Sequence, residues 1–447
     1  MRAATSAIVV ATTLGLGGCH PDTNAPAASA RSQPASGGVC DVVLSADAAA
    51  GRPDLNQLQA VARARGLAVA HLERLGWSFV TAARESADSG FYNLALQTAE
   101  CIAHGSPASP EGLLLRAHAL LQQHRFHEAE VAARSLVARR GRWMDQAVLG
   151  DALLEQGQVD QAVIAYQAMA DERPGPEAYA RIAQVRWLTG DLENALEFMT
   201  KAARATDGTD YAGTAWYRAR LALLALGYGD AESALKLARS AAVLVPDFPA
   251  ALAAEGRALL ALDRPAEAAA VLRRAAERTG LAEHQWLWLE AEQAAGNAAG
   301  ARLAEAGLAR TGAATDPRTY ALYLATHGGD AALALRLARE ELKVRADVQT
   351  QDALAWALYA SGAYAEALPH ARLAISLGTA DPRLWLHAGL IGMRVGDRAS
   401  ARAWLMRAAA RPSFLLPSEL ARLHAAEAGL DATQPIHPTT STTTSTT

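Results

Sequence analysis

WMDQAVLGDALLEQGQVDQAVIAYQAMADERP, residues 143–174, holds two helical patterns separated by one glycine. Leu149, Leu153 and Leu154 recur at helical spacing, Gly157 interrupts them, and Ala162, Val163, Tyr166 and Met169 resume the period. A glycine suits a helix C-terminus, where a left-handed residue without a Cβ is favoured. The alanine is small because the second helix must lie close against the first. The layout returns along the chain: Ala95, Ala129, Ala162, Ala195, Ala234, Ala268, Ala301, Ala334, Ala367 and Ala401 lie 33 or 34 residues apart in eight intervals, with Ala195 to Ala234 longer at 39. A glycine precedes the alanine by five residues in GQVDQA (157–162), GDLENA (190–195), GDAESA (229–234) and GDRASA (396–401). A fixed period of this size signals stacked supersecondary units rather than one core. No alternating strand pattern competes. The fold expected is all-α, an α-solenoid of about ten helix–turn–helix repeats.

These residues resemble the tetratricopeptide repeat, a 34-residue unit with small residues near positions 8 and 20 and proline near 32. Gly150, Tyr166 and Pro174 fall on pattern positions 8, 24 and 32. Residues 348–381 carry Ala355, Leu358, Gly362 and Ala367, and residues 382–415 carry Trp385, Gly389, Gly396 and Ala401. His124 and Asp263 stand where the turn glycine is expected, and the unit around Ala334 lacks the proline and a good second-helix aromatic. The resemblance implies a right-handed superhelix over residues 55–415 whose first unit has an enlarged first helix. It also implies binding rather than catalysis. The surplus before Ala234, around TDGTDYAG (206–213), reads most simply as a longer inter-repeat loop, with a hinge as the alternative.

The two ends differ from the array. Arg2, the apolar run Ala7-Ile8-Val9-Val10-Ala11 and then Leu16-Gly17-Gly18-Cys19 form a segment too short and glycine-rich to span a membrane. Residues 1–18 resemble the signal peptide of bacterial lipoproteins, which implies an acylated Cys19 anchoring the chain without spanning. His20 rather than aspartate follows, so the analogy implies outer-membrane attachment facing the periplasm. An ordinary cleaved signal and a soluble periplasmic protein are the alternative. Residues 19–54, rich in Pro, Ala, Ser and Gly, read as a flexible tether. Residues 55–65 read as a capping helix with Asp54 at its N-cap, residues 416–430 as a second capping helix, and the Thr-rich tail 431–447 as disordered. With Cys19 acylated, Cys40 and Cys101 are expected as free thiols, a disulfide between them being the alternative in an oxidising compartment.

The formal net charge is −4 and no dense basic block occurs, which argues against nucleic acid as the partner. Phosphate-cradling loops, HExxH, GxSxG and CxxC are all missing, so no enzyme activity, cofactor or small-molecule substrate is assigned. His118, His124 and His127 in HALLQQHRFH are the strongest metal-ligand candidates, but polar turn residues are the plainer reading and no metal site is assigned.

In the resembled family the first helix of each unit lines the concave face. Carried onto this register, Trp187, Trp216, Trp286, Tyr323, Trp356 and Tyr359 take such positions, while Trp288 and Trp385 take packing positions. Packing between helices remains the other reading of each aromatic. Tyr320, Tyr323, Trp356 and Tyr359 come from adjacent units and are expected on one wall. Arg181, Arg220 and Arg257 are candidates to receive acidic groups, because arginine and aromatic anchors dominate binding energy. The lysine–asparagine set of chaperone-tail binders is missing; Gln184 and Arg181 are only a partial echo. These features read as a lipid-anchored scaffold binding a protein or peptide in its groove. An accessory subunit of an envelope transport or assembly complex and a histidine-based metal carrier stay open.

Overall fold

The computed structural model describes residues 38–431 except 46, 87, 207 and 209. The segment expected to be a signal peptide, Cys19, the first part of the expected tether and the residues beyond 431 lie outside the described residues. Two helices, α1 (Asp41–Leu44) and α2 (Pro53–Ala64), precede ten helix pairs. In order these are α3 (Val69–Ser86) with α4 (Gly90–Gly105), α5 (Pro110–Gln122) with α6 (Phe126–Arg139), and α7 (Trp143–Glu155) with α8 (Val159–Glu172). Next come α9 (Pro176–Leu188) with α10 (Leu192–Arg204), α11 (Tyr211–Tyr228) with α12 (Ala231–Leu244), and α13 (Pro249–Ala261) with α14 (Pro265–Thr279). The last four are α15 (Ala282–Ala294) with α16 (Ala298–Thr315), α17 (Pro317–His327) with α18 (Ala331–Val344), α19 (Val348–Ala360) with α20 (Tyr364–Ala374), and α21 (Pro382–Val395) with α22 (Arg398–Ala409). A 3-10 turn, Pro412–Phe414, and α23 (Pro417–Asp431) follow. Among the described residues there is no strand.

Turn chemistry explains the regularity. Gly190, Gly229 and Gly396 adopt positive φ, and the aspartates after them cap the second helix: Asp191, Asp230 and Asp397 accept from the backbone N–H of Asn194, Ser233 and Ser400. The recurrent alanine sits four residues beyond that cap. Nine of the ten alanines are buried, and Ala301 is partly so. At Gly150 a Cβ would lie 2.4 Å from the Tyr166 ring, which explains the coupled positions 8 and 24. First helices are buried nearly all round, as in α15 with ten buried residues of thirteen, whereas α8 buries four of fourteen. The first helices therefore form the inner layer.

The ribbon coils back on itself. The Gly157 turn lies against the Ala346 backbone and the Gly190 turn against Gly378, where a Cβ would come within 2.3 Å of the carbonyl oxygen. The Ala380 N–H donates to the Trp187 carbonyl at 3.0 Å. Turns of the third and fourth pairs thus meet the loops entering the ninth and tenth.

Four expectations are corrected. Residues 38–54 are not loose tether: Val43, Ala48 and Ala49 are buried, and Gln59 Nε2 donates to the Val43 carbonyl at 2.9 Å. Cys40 and Cys101 are not free thiols but a disulfide, with Cα atoms 5.0 Å apart across 61 residues. Chain closure by a bridge of that span stabilises by about 4 kcal/mol in the loop-entropy model. The surplus before Ala234 goes largely into helix, since α11 has 18 residues against 13 in α9 and α13. Arg52, not Asp54, occupies the α2 N-cap position; Asp54 sits in the first turn, paired with Arg52 at 2.9 Å.

Candidate functional site in the inner groove

The structure buries nine of the ten candidate contact residues and half-buries Tyr359. Tyr320 and Tyr323 of α17 stack at 5.9 Å, and Trp286 of α15 meets Tyr323 edge-on at 6.1 Å. Trp356 and Tyr359 of α19 stack at 4.6 Å. Thr326, on the same helix as Tyr320 and Tyr323, accepts from Trp356 Nε1 through its hydroxyl at 3.0 Å. The expected wall is therefore two separate stacks, one on α17 and one on α19. Two histidines complete them: His387 lies on the Trp356 ring at 4.1 Å, and His327 faces Tyr323 at 5.0 Å. Trp187 and Trp216 lie apart, the first against Phe414 at 5.2 Å and the second edge-on to Tyr217 at 5.3 Å. Trp288 and Trp385 are buried, donating to Glu292 and to the Thr379 carbonyl.

The three arginines have different fates. Arg181 is already satisfied: Nε and Nη2 reach the two oxygens of Asp151 at 2.9 and 2.7 Å, and Tyr166 donates to the same carboxylate at 2.8 Å. Burial works against its charge, but Asp151 overrides burial and raises its pKa. Arg181 cannot receive a partner's acid without losing Asp151. Arg220 is 1% exposed, and its Nη2 donates to Gln184 at 3.2 Å while Nε and Nη1 lack a protein partner. Burial pushes this guanidinium down to about 9. Arg257 donates from Nη2 to the Phe414 carbonyl at 2.7 Å and covers its ring at 4.5 Å; its Nε lacks a partner. Nearby Glu283 is partly exposed as a residue, yet its Oε2 is buried and unpaired. Burial pushes its carboxyl up to about 7, against the pull of Arg257 and Arg383.

The groove expected to lie open holds the chain's own C-terminal segment. The 3-10 turn packs on α11 and α13, and α23 on α15, α21 and α22. Ser418 donates to Glu290 from its backbone N–H at 3.1 Å and from its hydroxyl at 2.5 Å. Arg422 donates to the Thr326 carbonyl and lies over Trp356 at 5.9 Å. Glu419 is 1% exposed and accepts from the Leu416 N–H at 2.8 Å; burial raises its carboxyl although Arg383 draws it down. Arg383 in turn pairs with Asp381 at 2.6 Å. A cavity of about 40 Å³ is left between α13, α15, α17, α19, α21 and α23. A wider cleft of about 250 Å³ opens at the seam where the Gly157 turn meets Ala346.

His118 lies in the core, 5.2 Å from the Trp77 ring and 3.3 Å from Arg84 Nη2, and burial holds its pKa well below the ordinary value. His124 stacks on Phe126 at 5.4 Å. Among the described residues no group of three His, Cys, Asp or Glu is placed to hold a metal ion.

Sequence reasoning missed Asp151, Glu290, Asp352, His327, His387, Phe414 and Arg422. A signal existed for some: Asp151–Arg181, Glu290–His327 and Asp352–His387 are acid–base pairs 30, 37 and 35 residues apart, about one repeat. Phe414 and Arg422 follow no such offset.

Residues 114–175 and 147–209 match the family model described as tetratricopeptide repeat. No curated protein matches the chain. Among solved structures, the chain is similar to PilW, a widely conserved type IV pilus biogenesis factor, at 16% identity over 44% of this chain and 91% of that one, with a TM-score of 0.39. It is similar to the C-terminal part of a TPR repeat-containing protein from Cytophaga hutchinsonii at 18% identity, covering 62% and 99%, with a TM-score of 0.32. A third is YrrB, a TPR protein with an unusual peptide-binding site, at 12% identity, covering 44% and 97%, with a TM-score of 0.30.

Proposed function

We propose that this chain, which carries tetratricopeptide repeats, is a non-catalytic interaction scaffold anchored through an acylated Cys19 in the bacterial envelope. It faces the periplasm and binds a protein or peptide segment along its inner layer. The observation that carries the binding reading is the concentration of aromatic and arginine side chains on first helices, the residue types that dominate binding energy. The Cys40–Cys101 disulfide supports an oxidising compartment. Among the described residues no helix is long and apolar enough to cross a membrane.

Two measurements test this. Mass spectrometry of the mature chain is expected to find Cys19 as the first residue, carrying acyl chains; an unacylated start elsewhere removes the anchor. A photo-cross-linking residue at half-buried Tyr359 is expected to trap one discrete protein in cells, while the same probe at Val243, 81% exposed on a second helix, traps none. Adducts from Val243 alone would move the binding surface outside. A trapped membrane-embedded component would assign the scaffold to a transport or assembly complex.

A further inference from the structure

The C-terminal segment does more than finish the array. A terminal cap has only to cover the last helix pair, but RPSFLLPSELARLHAAEAGLD (411–431) touches side chains from several units along the inner layer. Phe414 contacts Trp187 of α9 and Arg257 of α13, Ser418 contacts Glu290 of α15, and Arg422 reaches Thr326 of α17 and Trp356 of α19. Lying lengthwise across successive first helices is how a groove ligand binds.

Its fit is incomplete in one chemical direction. Arg220 Nε and Nη1, Arg257 Nε, Trp187 Nε1 and Arg422 Nε are buried donors without a protein partner, against Glu283 Oε2 as an unpaired acceptor beside Arg257. Arg220, Trp187 and Arg257 are 1%, 0% and 6% exposed. Among these groups donors outnumber acceptors, and a ligand bringing a carboxylate to Arg257 or Arg220 gains charge-assisted hydrogen bonds that the resident segment does not make. Withdrawal is also topologically simple. Its covalent link to the ten pairs is the Ala410–Arg411 bond after the last pair, so its departure leaves every first helix joined to its own second helix.

We infer that residues 411–431 are an internal ligand, holding the inner groove in place of an external acidic, aromatic-bearing peptide that enters by displacing them. The inference rests on the reading of the groove as the partner site. It adds what the partner resembles and what it must remove: an amphipathic helix led by an aromatic residue, as Phe414 leads α23, with a carboxylate for Arg220 and Arg257.

The test uses the full-length chain and a fluorescent synthetic peptide of residues 411–431 added in trans. Wild type is compared with Arg422→Ala and Phe414→Ala, two variants that loosen the segment at opposite ends, each checked for helix content by circular dichroism. Anisotropy is expected to show the peptide binding at least one variant tenfold or more tighter than wild type. Amides of α23 are expected to exchange at least tenfold faster than those of α21 in wild type. A peptide carrying Ser413→Asp is expected to bind Phe414→Ala tighter than the native peptide, and Arg220→Gln added to that chain abolishes the gain. Absence of binding to both folded variants, equal binding to all three chains, or α23 exchanging only with α21 overturns the inference. A Tyr359 cross-link in cells alongside any of these negatives leaves the groove as the partner site and removes only the internal ligand.

Discussion

Arg257 and Phe414 stand 157 residues apart, yet the guanidinium of one donates to the carbonyl of the other at 2.7 Å and covers its ring at 4.5 Å. This double contact ties the middle of the array to the segment that follows its last pair. The arginine is 6% exposed, and other charged groups nearby are buried with it.

Arg220 is the clearest of these. A buried guanidinium with one 3.2 Å bond to Gln184 and no paired carboxylate destabilises the folded state. Arg220→Met is expected to stabilise the chain by roughly 1–3 kcal/mol, read as a higher urea midpoint at pH 7 with an unchanged slope. An equal or lower midpoint would show that the guanidinium is compensated.

Glu283 predicts a pH dependence. Its folded carboxyl is raised to about 7 from an ordinary 4.5, so the folded state holds the proton more tightly than the unfolded chain. The folded state then binds more protons between those values, and stability falls as pH rises from about 4.5 to about 7. Glu283→Gln mimics the protonated acid. It is expected to raise stability at pH 8 by roughly 1–3 kcal/mol and to change little at pH 4.5. Thermal unfolding across that range, wild type against variant, checks both limbs.

The disulfide fastens the N-terminal helices to α4. Cys40→Ser, or reduction, is expected to cost roughly 2–4 kcal/mol and to speed hydrogen exchange in α1 and α2 more than in α13. Uniform acceleration along the chain would mean that the bridge acts on the whole array rather than on its first units.

Asp263 holds a turn at φ 55° where other units use glycine. The residue is exposed, so its side chain contributes little packing to offset the left-handed backbone. Asp263→Gly is expected to stabilise by about 0.5–1 kcal/mol in thermal melts, the relief of strain exceeding the added freedom of the unfolded chain. The comparable change at His124 (φ 57°) should gain less, because that ring stacks on Phe126.

Much of the fold was legible because its determinants are local. Gly190 and Asp191 end one helix and start the next within three residues, and Ala195 answers to the helix beside it. The site was legible only in part. Trp286, Tyr323, Trp356 and Tyr359 were found because first-helix positions repeat, but the residues that engage them were not. Thr326 and His387 lie one unit away from Trp356, at a separation where composition carries no pattern unless pairs are sought at the repeat offset. Residues 38–54 misled for a related reason: a Pro/Ala/Ser-rich stretch signals weak local structure, yet here a covalent bridge and burial against α2 and α4 order it.

The sequence by itself determined the unit: two helices, a left-handed turn, a small contact residue and a period of 33 or 34. Those features follow from backbone sterics and neighbour packing, which act over a few residues. Only the tertiary structure decided that the ribbon closes from Gly157 to Ala346, that Arg181 is taken by Asp151 while Arg220 is not, and that the groove holds Phe414 and Arg422. Small rotations at every unit add up before distant turns meet, so where the coil closes and what fills it belong to the whole array and to no single repeat.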